Sequence, residues 1–449
     1  MSNPSILIET ERRADSRIVA KFIRDQLDTR RGDPVVPLSL LRLVIRHETM
    51  IALGAATTDQ LEQSLNPVAV RATEISDARL AELLNGRSQP ELPVARLPPS
   101  EPEVGTTYDW HLHACAIPQA WSLIAGGNFS AINWQDIRVG HIDTGYRPHL
   151  ALGWTGSTST FVDTSRDKNF CTRDFGLPGY SINDALDPLR GGAFDGHGTR
   201  TSSVLAGCYQ RSASTGTVTG YFGAAPHVPI VPVRISDSVL ISDAQDALAD
   251  AILHLVEERC KVISLSMGFP LFLGAASVKQ VVRDAVNLAY DRGVIFVCAA
   301  GNYLRDVVAP AALSRTIAVG GTTPSDDTWQ HGSCGPQLDI CAPASDVYRA
   351  SVDRSGAPIY GFGDGTSFAT ALVAGVAALW HAHHRAAITA TYTQPWQVAE
   401  AFKRLLTSTA RRPPSWDTAN YGAGILSAFD LLSAPLPDPA TWQQDAPNV

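Results

Sequence analysis

Residues 365–370 read Gly-Thr-Ser-Phe-Ala-Thr and place Ser367 at the start of an apolar segment that runs to Trp380. The composition of that segment predicts a buried helix with Ser367 in its first turn. Backbone N–H groups and the positive end of the helix dipole surround a side chain at this position, and both favour negative charge on a reacting group. Serine is also a common helix cap, so this stretch needs partners elsewhere in the chain before it indicates a nucleophile.

Two further segments hold the side chains that could activate this serine. Residues 140–145 read Gly-His-Ile-Asp-Thr-Gly and contain Asp143, and residues 195–199 read Asp-Gly-His-Gly-Thr and contain His197. A serine hydroxyl becomes a good nucleophile when an imidazole takes its proton and a carboxylate holds that imidazole in the right tautomer. We therefore predict Asp143, His197 and Ser367 as catalytic residues, although an isolated Asp-Thr-Gly is more often a turn.

The alternation of apolar patterns between these segments predicts the fold class. Short apolar runs at 137–142 and 294–298 read as strands, and the periodic segment 242–258 between them reads as a helix. Strands and helices in alternation are typical of an α/β fold with a parallel sheet that is covered by helices on both faces. Functional residues of such sheets gather at the carboxyl ends of the strands, and Asp143 and Asn302 each follow a predicted strand.

From Tyr108 to Leu432 the chain resembles the subtilisin-like (subtilase) serine peptidase family, in which the order Asp, His, Ser is that of subtilisin. Further segments that resemble the family are residues 110–112, 117–121, 223–226, 264–268, 299–302, 317–320, 342–343 and 421–426. The resemblance implies a subtilisin-like fold and a serine endopeptidase that hydrolyses peptide bonds through a covalent acyl-enzyme. It implies neither an organic cofactor nor a catalytic metal.

The resemblance also implies roles for residues that follow two of the strands. The side-chain amide of Asn302, together with the backbone N–H of Ser367, would form an oxyanion hole. An extended polypeptide substrate would pair with two backbone edges and place a side chain in a pocket between Gly268 and Gly301. The residues of these edges are Ser266, Met267, Gly268, Ala300 and Gly301.

Composition and charge narrow the class of protein. The 449 residues, 45% of them hydrophobic, are enough for one large domain and a smaller one. The formal charge of −8 argues against nucleic acid as the main partner. No apolar run reaches the roughly 18 residues of a membrane span, and residues 1–17 lack the apolar core of a signal peptide. Seven cysteines in a chain of this length predict reduced, mostly buried thiols. Reduced thiols are typical of a cytoplasmic protein, and we therefore expect that location. Export by a route without a signal peptide stays open.

The sequence predicts a division into four parts. These are an N-terminal helical extension (1–87), a proline-rich linker (88–107), the peptidase domain (108–433) and a C-terminal tail (434–449). Helices are predicted in the extension at 18–27, 40–53 and 78–84. The extension is either an inhibitory prosegment or a module that docks a partner protein, and the pattern does not separate the two.

Two features near the predicted triad have structural interpretations. His141 lies on the same strand face as Asp143, two residues earlier, and we expect a supporting role for it rather than a catalytic one. The polar stretch 157–193 carries five aspartates, at positions 163, 167, 174, 184 and 187. Family members often hold structural Ca²⁺ on such loops, and oxygen ligands suit that ion, but no ligand spacing is recognisable and a solvated loop is the expectation.

The chain departs from the family pattern after the serine. Most subtilases place a proline four residues beyond the nucleophile, where this chain has Ala371, followed by Leu372. A roomier acyl-enzyme site would favour attack by an amine, which gives the hypothesis of a peptide ligase or cyclase. Two further hypotheses stay open: a processing peptidase dedicated to one partner, and a catalytically silent, peptide-binding scaffold.

Overall fold

The structure of the protein is a computed structural model, and it describes residues 5–10, 35–37, 42–46, 70–75, 108–126, 131–211, 218–271 and 278–448. The chain divides into two units, Met1–Leu92 and Pro93–Val449. The predicted linker 88–107 lies outside the described residues. Its boundaries therefore remain a prediction.

Four antiparallel strands make up the described part of the N-terminal unit. They are β1 (Ser5–Thr10), β2 (Val35–Pro37), β3 (Arg42–Arg46) and β4 (Val70–Ile75), in the order β2-β3-β1-β4. The prediction of a helix over 40–53 is wrong at β3, and the described residues do not make this unit mainly helical. The other two predicted helices, at 18–27 and 78–84, lie outside the described residues. The pairing partner of β3 within β1 is more than thirty residues away in sequence, so a local apolar pattern did not reveal the strand.

A seven-stranded parallel sheet with the order β15-β14-β13-β12-β5-β11-β8 forms the centre of the second unit. Its strands are β5 (Val139–Asp143), β8 (Lys168–Asn169), β11 (Ile230–Arg234), β12 (Val262–Leu265), β13 (Ile295–Ala299), β14 (Ile317–Thr322) and β15 (Ile340–Pro343). The remaining strands form three two-stranded pairs: β6 (Trp154–Thr155) with β7 (Thr158–Ser159), β9 (Tyr209–Arg211) with β10 (Val218–Tyr221), and β16 (Val347–Val352) with β17 (Pro358–Gly363). The α/β fold class predicted from the sequence is confirmed.

Helices pack on both faces of this sheet. The helices in the described part of this unit are α1 (Trp110–Ala114), α2 (Ile117–Ala125), α3 (His197–Ala206), α4 (Gln245–Glu257), α5 (Gln280–Asp291), α6 (Thr366–Thr391), α7 (Trp396–Ser408), α8 (Thr418–Tyr421) and α9 (Ala428–Ser433). Alternate residues of one strand enter different cores: Val262 belongs to the core of α3 and α6, and Ile263 to the core of α4 and α5. Successive residues of a strand point to opposite faces of the sheet. Because helices cover both faces here, nearly every residue of a central strand must be apolar.

The register brings the ends of the central strands to one edge. β11 and β12 both pair in parallel with β5, beginning at Val139. Arg234, the last residue of β11, lies opposite Asp143, the last residue of β5. Helix α6 is apolar on all sides and is buried from Thr366 to His381, so it runs through the interior and presents its first turn at this same edge.

The C-terminal segment 434–448 lies along the outside of α5 and α7. Asn448 exchanges hydrogen bonds with Asn287, and the ring of Trp442 stacks on Tyr392 under the guanidinium of Arg404. The seven cysteines, all within the described ranges, form no disulfide bonds. Within the described ranges, no helix combines the length and the hydropathy needed to cross a bilayer.

Candidate active site

Three elements bring the predicted catalytic side chains together. Asp143 ends β5, His197 begins α3 and Ser367 lies in the first turn of α6. His197 Nδ1 is 2.7 Å from Asp143 Oδ1, and His197 Nε2 is 3.2 Å from Ser367 Oγ. The three residues expose 0%, 7% and 5% of their surface, respectively. Residues that are 54 and 170 positions apart in sequence thus form one continuous hydrogen-bonded chain.

Asp143 is held in its ionised form by its hydrogen bonds. Oδ1 accepts from the backbone N–H of Thr144 at 2.7 Å as well as from His197, and Oδ2 accepts from the hydroxyl of Thr201 at 3.0 Å. Burial alone would raise the pKa of this carboxyl, but the His197 imidazole and the hydrogen bonds lower it below its usual value. A carboxylate that stays charged can orient the imidazole throughout a reaction cycle.

His141 supports this carboxylate through Thr201 rather than acting on Ser367. Its Nε2 lies 2.9 Å from the hydroxyl oxygen of Thr201, and the side chain is 2% exposed. Burial lowers the pKa of His141, although the nearby Asp143 opposes that change, so burial favours the neutral ring. With the Thr201 proton donated to Asp143, the threonine oxygen accepts from His141 Nε2–H. The geometry agrees with the supporting role expected from the sequence.

Close packing between the Asp143 turn and α3 requires glycine at position 198. A methyl group added to Gly198 would lie 1.9 Å from the carbonyl oxygen of Gly145, far inside van der Waals contact. Asp187 joins the same two elements, because its Oδ2 accepts from the Thr144 hydroxyl at 2.9 Å and from the Gly196 N–H at 2.8 Å. These contacts fix the distance between β5 and the start of α3, and with it the Asp143–His197 bond.

A buried guanidinium ties the loop at 171–174 to the same turn. Arg234 is fully buried; its Nε donates to Asp174 Oδ2 at 2.8 Å, and its other nitrogens donate to Asp237 and to the carbonyl of Thr144. Burial alone would raise the pKa of Asp174, but hydrogen bonds from Arg234 and Asn169 lower it to about 2. An ion-paired arginine therefore replaces solvent behind the Asp143 turn.

This cluster does not fit a calcium ion. Cys171, Asp174 and Asp237 bring a thiol and two carboxylates within 4.8 Å of one another, and a thiol is a poor ligand for a hard cation. The guanidinium of Arg234 already contacts all three side chains, with its Nη2 3.6 Å from Cys171 Sγ. Among the described residues this is the only group of three such side chains that the geometry brings together.

Asn302 lies next to the Ser367 turn, with its amide oriented by Thr366. Its Oδ1 accepts from the backbone N–H and from the hydroxyl of Thr366, both at 2.9 Å. The oxygen and nitrogen of an amide are bonded to one planar carbon, so the two hydrogen bonds to Oδ1 also fix the direction of Nδ2. The first N–H groups of a helix have no partner within the helix, and Ser367 lies in that first turn.

The residues predicted to bind substrate also surround Ser367. The hydroxyl of Ser266 donates to the carbonyl of Ser367 at 3.0 Å, and the carbonyl of Ser266 lies 3.4 Å from Ser367 Oγ. Ala300 and Gly301 follow β13, and the Gly301 N–H donates to the Thr366 hydroxyl at 3.3 Å. Met267 and Ala300 are buried.

The backbone of Gly268 is paired within the chain. Its N–H donates to the carbonyl of Val239 at 3.0 Å, and its carbonyl accepts from the N–H of Ile241 at 3.1 Å. The structure therefore places the predicted substrate-binding segment 266–268 beside Ser367. The backbone N–H and carbonyl of Gly268, however, are already hydrogen-bonded to Val239 and Ile241.

Several supporting residues were not predicted from the sequence. Thr201 follows His197 by four positions on α3, a spacing that places both on one helix face, and this signal was available. Arg234 ends an otherwise apolar strand, where an isolated charge in a buried run indicates a paired group. For Thr366, adjacency to Ser367 was visible in the sequence, but its contact with Asn302 was not.

Comparison with known proteins agrees with this geometry. Residues 135–424 match the model of the subtilase family. The extracellular protease of Xanthomonas campestris pv. campestris is 28% identical over 85% of this chain, and the alignment spans 66% of that relative. Thermitase of Thermoactinomyces vulgaris is 31% identical over 60% of this chain and 81% of the relative. A solved protease structure from Pseudoalteromonas arctica, 22% identical, superposes with a TM-score of 0.54 over 73% of this chain and 96% of that one, which establishes the likeness of fold. The chain belongs to the subtilase family of serine peptidases.

Proposed function

We propose that this protein is a serine endopeptidase with Ser367 as its nucleophile. The observation that carries the proposal is the continuous chain from Asp143 through His197 to Ser367, with heavy-atom distances of 2.7 and 3.2 Å. His197 takes the hydroxyl proton as Ser367 attacks a peptide carbonyl, and then gives it to the leaving amine. Water, activated by the same imidazole, hydrolyses the acyl-enzyme and restores Ser367.

Charge on the tetrahedral intermediate needs donors that are already in place. The proposed donors are the side-chain amide of Asn302 and the backbone N–H of Ser367. The two hydrogen bonds from Thr366 to Asn302 Oδ1 support this assignment, because they leave the amide N–H groups for another acceptor.

The proposed substrate is an extended polypeptide that pairs with the segments 266–268 and 300–301. In the structure, Val239 and Ile241 already bond to Gly268, so a substrate that pairs there would replace them. For residues 1–87, the proposal keeps two roles, an inhibitory prosegment and a docking module for a partner protein.

The test is the intact mass of the full chain before and after treatment with a fluorophosphonate. The wild type is compared with Ser367→Ala and with Ser165→Ala, in which an exposed serine is removed. One adduct on the wild type and on Ser165→Ala, with none on Ser367→Ala, supports the nucleophile. An adduct that persists in Ser367→Ala contradicts it.

A second readout separates a peptidase from a silent peptide-binding scaffold. Wild type and Ser367→Ala are incubated with an unfolded protein substrate, and the products are sized by mass. Internal cleavage by the wild type alone supports the endopeptidase, whereas binding without cleavage by both proteins supports the scaffold. Loss of the unit Met1–Leu92 in the wild type only would identify that unit as a self-removed prosegment.

A further inference from the structure

Gly268 and Gly301 stand at the place where the side chain of a bound substrate would enter. Ser266, two residues before Gly268, contacts Ser367 through its carbonyl at 3.4 Å. Gly301 contacts the neighbouring Thr366 through its N–H. The residue whose carbonyl is attacked by Ser367 must therefore lie beside these two segments, which the sequence predicts to leave room for its side chain.

One side chain of the protein already fills the space between the two glycines. A methyl group added to Gly268 would lie 2.4 Å from Val308 Cγ2, and one added to Gly301 would lie 2.8 Å from Val308 Cγ1. Non-bonded carbon atoms pack at about 3.5–4.0 Å. Val308 is 3% exposed, so its isopropyl group is in contact with the walls on both sides.

Val308 is held in this position by the backbone around it. Its N–H donates to the carbonyl of Ala300 at 2.9 Å, and the next residue, Ala309, exchanges two hydrogen bonds of 2.9 Å with Phe269. The segment is thus paired with the extensions of both β12 and β13. A β-branched side chain has few rotamers, so the isopropyl group has little freedom to turn away.

A hydroxyl narrows the same space from the Gly301 side. The methyl position at Gly301 lies 2.8 Å from Ser333 Oγ, and this hydroxyl is fixed by donating to the carbonyl of Leu304 at 2.9 Å. Ser333 is 1% exposed. The floor of the space is therefore built from a branched aliphatic group and a bonded hydroxyl, and neither carries a charge that would neutralise one on the substrate.

We propose that Val308 restricts cleavage to peptide bonds that follow a small residue: glycine, alanine or serine. The inference rests on the proposed function and adds its substrate class. A substrate side chain that is one methylene too large for its pocket changes kcat/KM by about 10–200-fold. We therefore expect kcat/KM to be at least about 100-fold higher for alanine than for phenylalanine before the scissile bond. Leucine should fall between these two residues.

The experiment compares matched peptides that differ only in the residue before the scissile bond: glycine, alanine, leucine or phenylalanine. The full chain is assayed as wild type, Val308→Gly and Val308→Ala. Val307→Ala is the matched control, because this neighbour is similarly buried and none of its atoms is among the three nearest to the methyl position of either glycine. We expect the phenylalanine-to-alanine ratio of kcat/KM to rise at least tenfold in Val308→Gly and to stay unchanged in Val307→Ala. A gain of activity on the larger residue cannot result from partial misfolding.

Labelling separates failure of this inference from failure of the proposed function. Peptidyl phosphonates ending in alanine or phenylalanine are applied beside the small fluorophosphonate, and adducts on Ser367 are counted by mass. Labelling by both phosphonates at equal rates in the wild type, or a ratio that Val308→Gly does not move, overturns the inference while Ser367 remains the nucleophile. Absence of every adduct, including that of the fluorophosphonate, overturns the proposed function and the inference with it.

Discussion

Replacing Thr201 by valine tests how the carboxylate of Asp143 is held. The Thr201 hydroxyl lies 3.0 Å from Oδ2, whereas Oδ1 accepts from Thr144 and His197. Valine keeps the shape of threonine and removes only the hydroxyl. We expect Thr201→Val to fold with the same backbone and to destabilise the charged form of Asp143.

The structure sets the size of the effect. A hydrogen bond to a charged group contributes about 1.5–3 kcal/mol. Asp143 is fully buried, so water cannot replace the lost donor, and we expect the free energy of unfolding at neutral pH to fall within that range. Because the pKa of Asp143 is depressed, the stability it contributes is present above the ordinary pKa of an aspartate and is lost as pH falls through the folded pKa. The difference between variant and wild type should therefore shrink on acidification.

Catalysis provides the second readout. A carboxylate with one donor fewer attracts the proton of the His197 imidazole more strongly. We expect the acidic limb of the kcat/KM profile to move to higher pH by up to about one pH unit, since about 1.4 kcal/mol corresponds to one pKa unit. The assay is kcat/KM for a peptide ending in alanine, measured from about pH 5 to about pH 9, the range in which a histidine titrates.

Thr201→Ser is the matched control, since serine keeps the hydroxyl and loses only a methyl group. We expect its pH profile to overlay that of the wild type. If Thr201→Val and Thr201→Ser give the same profile and the same unfolding free energy, the hydroxyl does not stabilise Asp143 and the reasoning is refuted. His141→Leu in the Thr201→Val background should add little, because both substitutions act through one hydrogen-bonded chain.

Three further predictions follow from other contacts. Thr366→Val should lower kcat about fivefold at unchanged KM relative to Thr366→Ser, because it loses one hydrogen bond to Asn302 of about 1 kcal/mol. For scale, removing the oxyanion-hole amide of subtilisin lowers kcat by a factor of about 10²–10³. Arg234→Met should lower the free energy of unfolding in denaturant by about 1.5–3 kcal/mol, because Asp174 loses the charged hydrogen bonds from Arg234 and keeps those from Arg190 and Asn169. Burial raises the pKa of Asp167 to about 6, so its contribution to stability falls as pH rises from about 4 to about 6, and Asp167→Asn should flatten that part of the stability profile.

The sequence alone was sufficient to predict the three side chains that meet at the site. Asp143, His197 and Ser367 each lie among glycines and small residues, and their order matches one well-defined chemistry. The strand ends could be predicted as well, because the runs before Asp143 and Asn302 are apolar and short. In each case the chemistry or the periodicity acts over a few neighbouring residues.

The contacts that shape the site could not be predicted in the same way. Val308 is remote from Gly268 in sequence, and no local pattern indicates that its side chain fills the space beside that glycine. The strand β3 was missed because its apolar residues fit a helix equally well: β2 is close to it in sequence, but its other partner, β1, is remote. Arg234 was visible as a charge with Asp237 close to it in sequence, but its other partners, Cys171 and Asp174, come from a separate loop.

The cluster around Arg234 has a consequence for how the protein responds to its surroundings. Stabilisation by a bound ion depends on the concentration of that ion and disappears when a chelator removes it. A guanidinium that belongs to the chain has no dissociation equilibrium, so the loop that carries Asp174 stays attached to the Asp143 turn whatever the supply of calcium. Acid weakens this attachment where it protonates Asp174, whose pKa the hydrogen bonds from Arg234 and Asn169 lower to about 2. Arg234 is thus a counter-ion of Asp174 that is part of the chain itself.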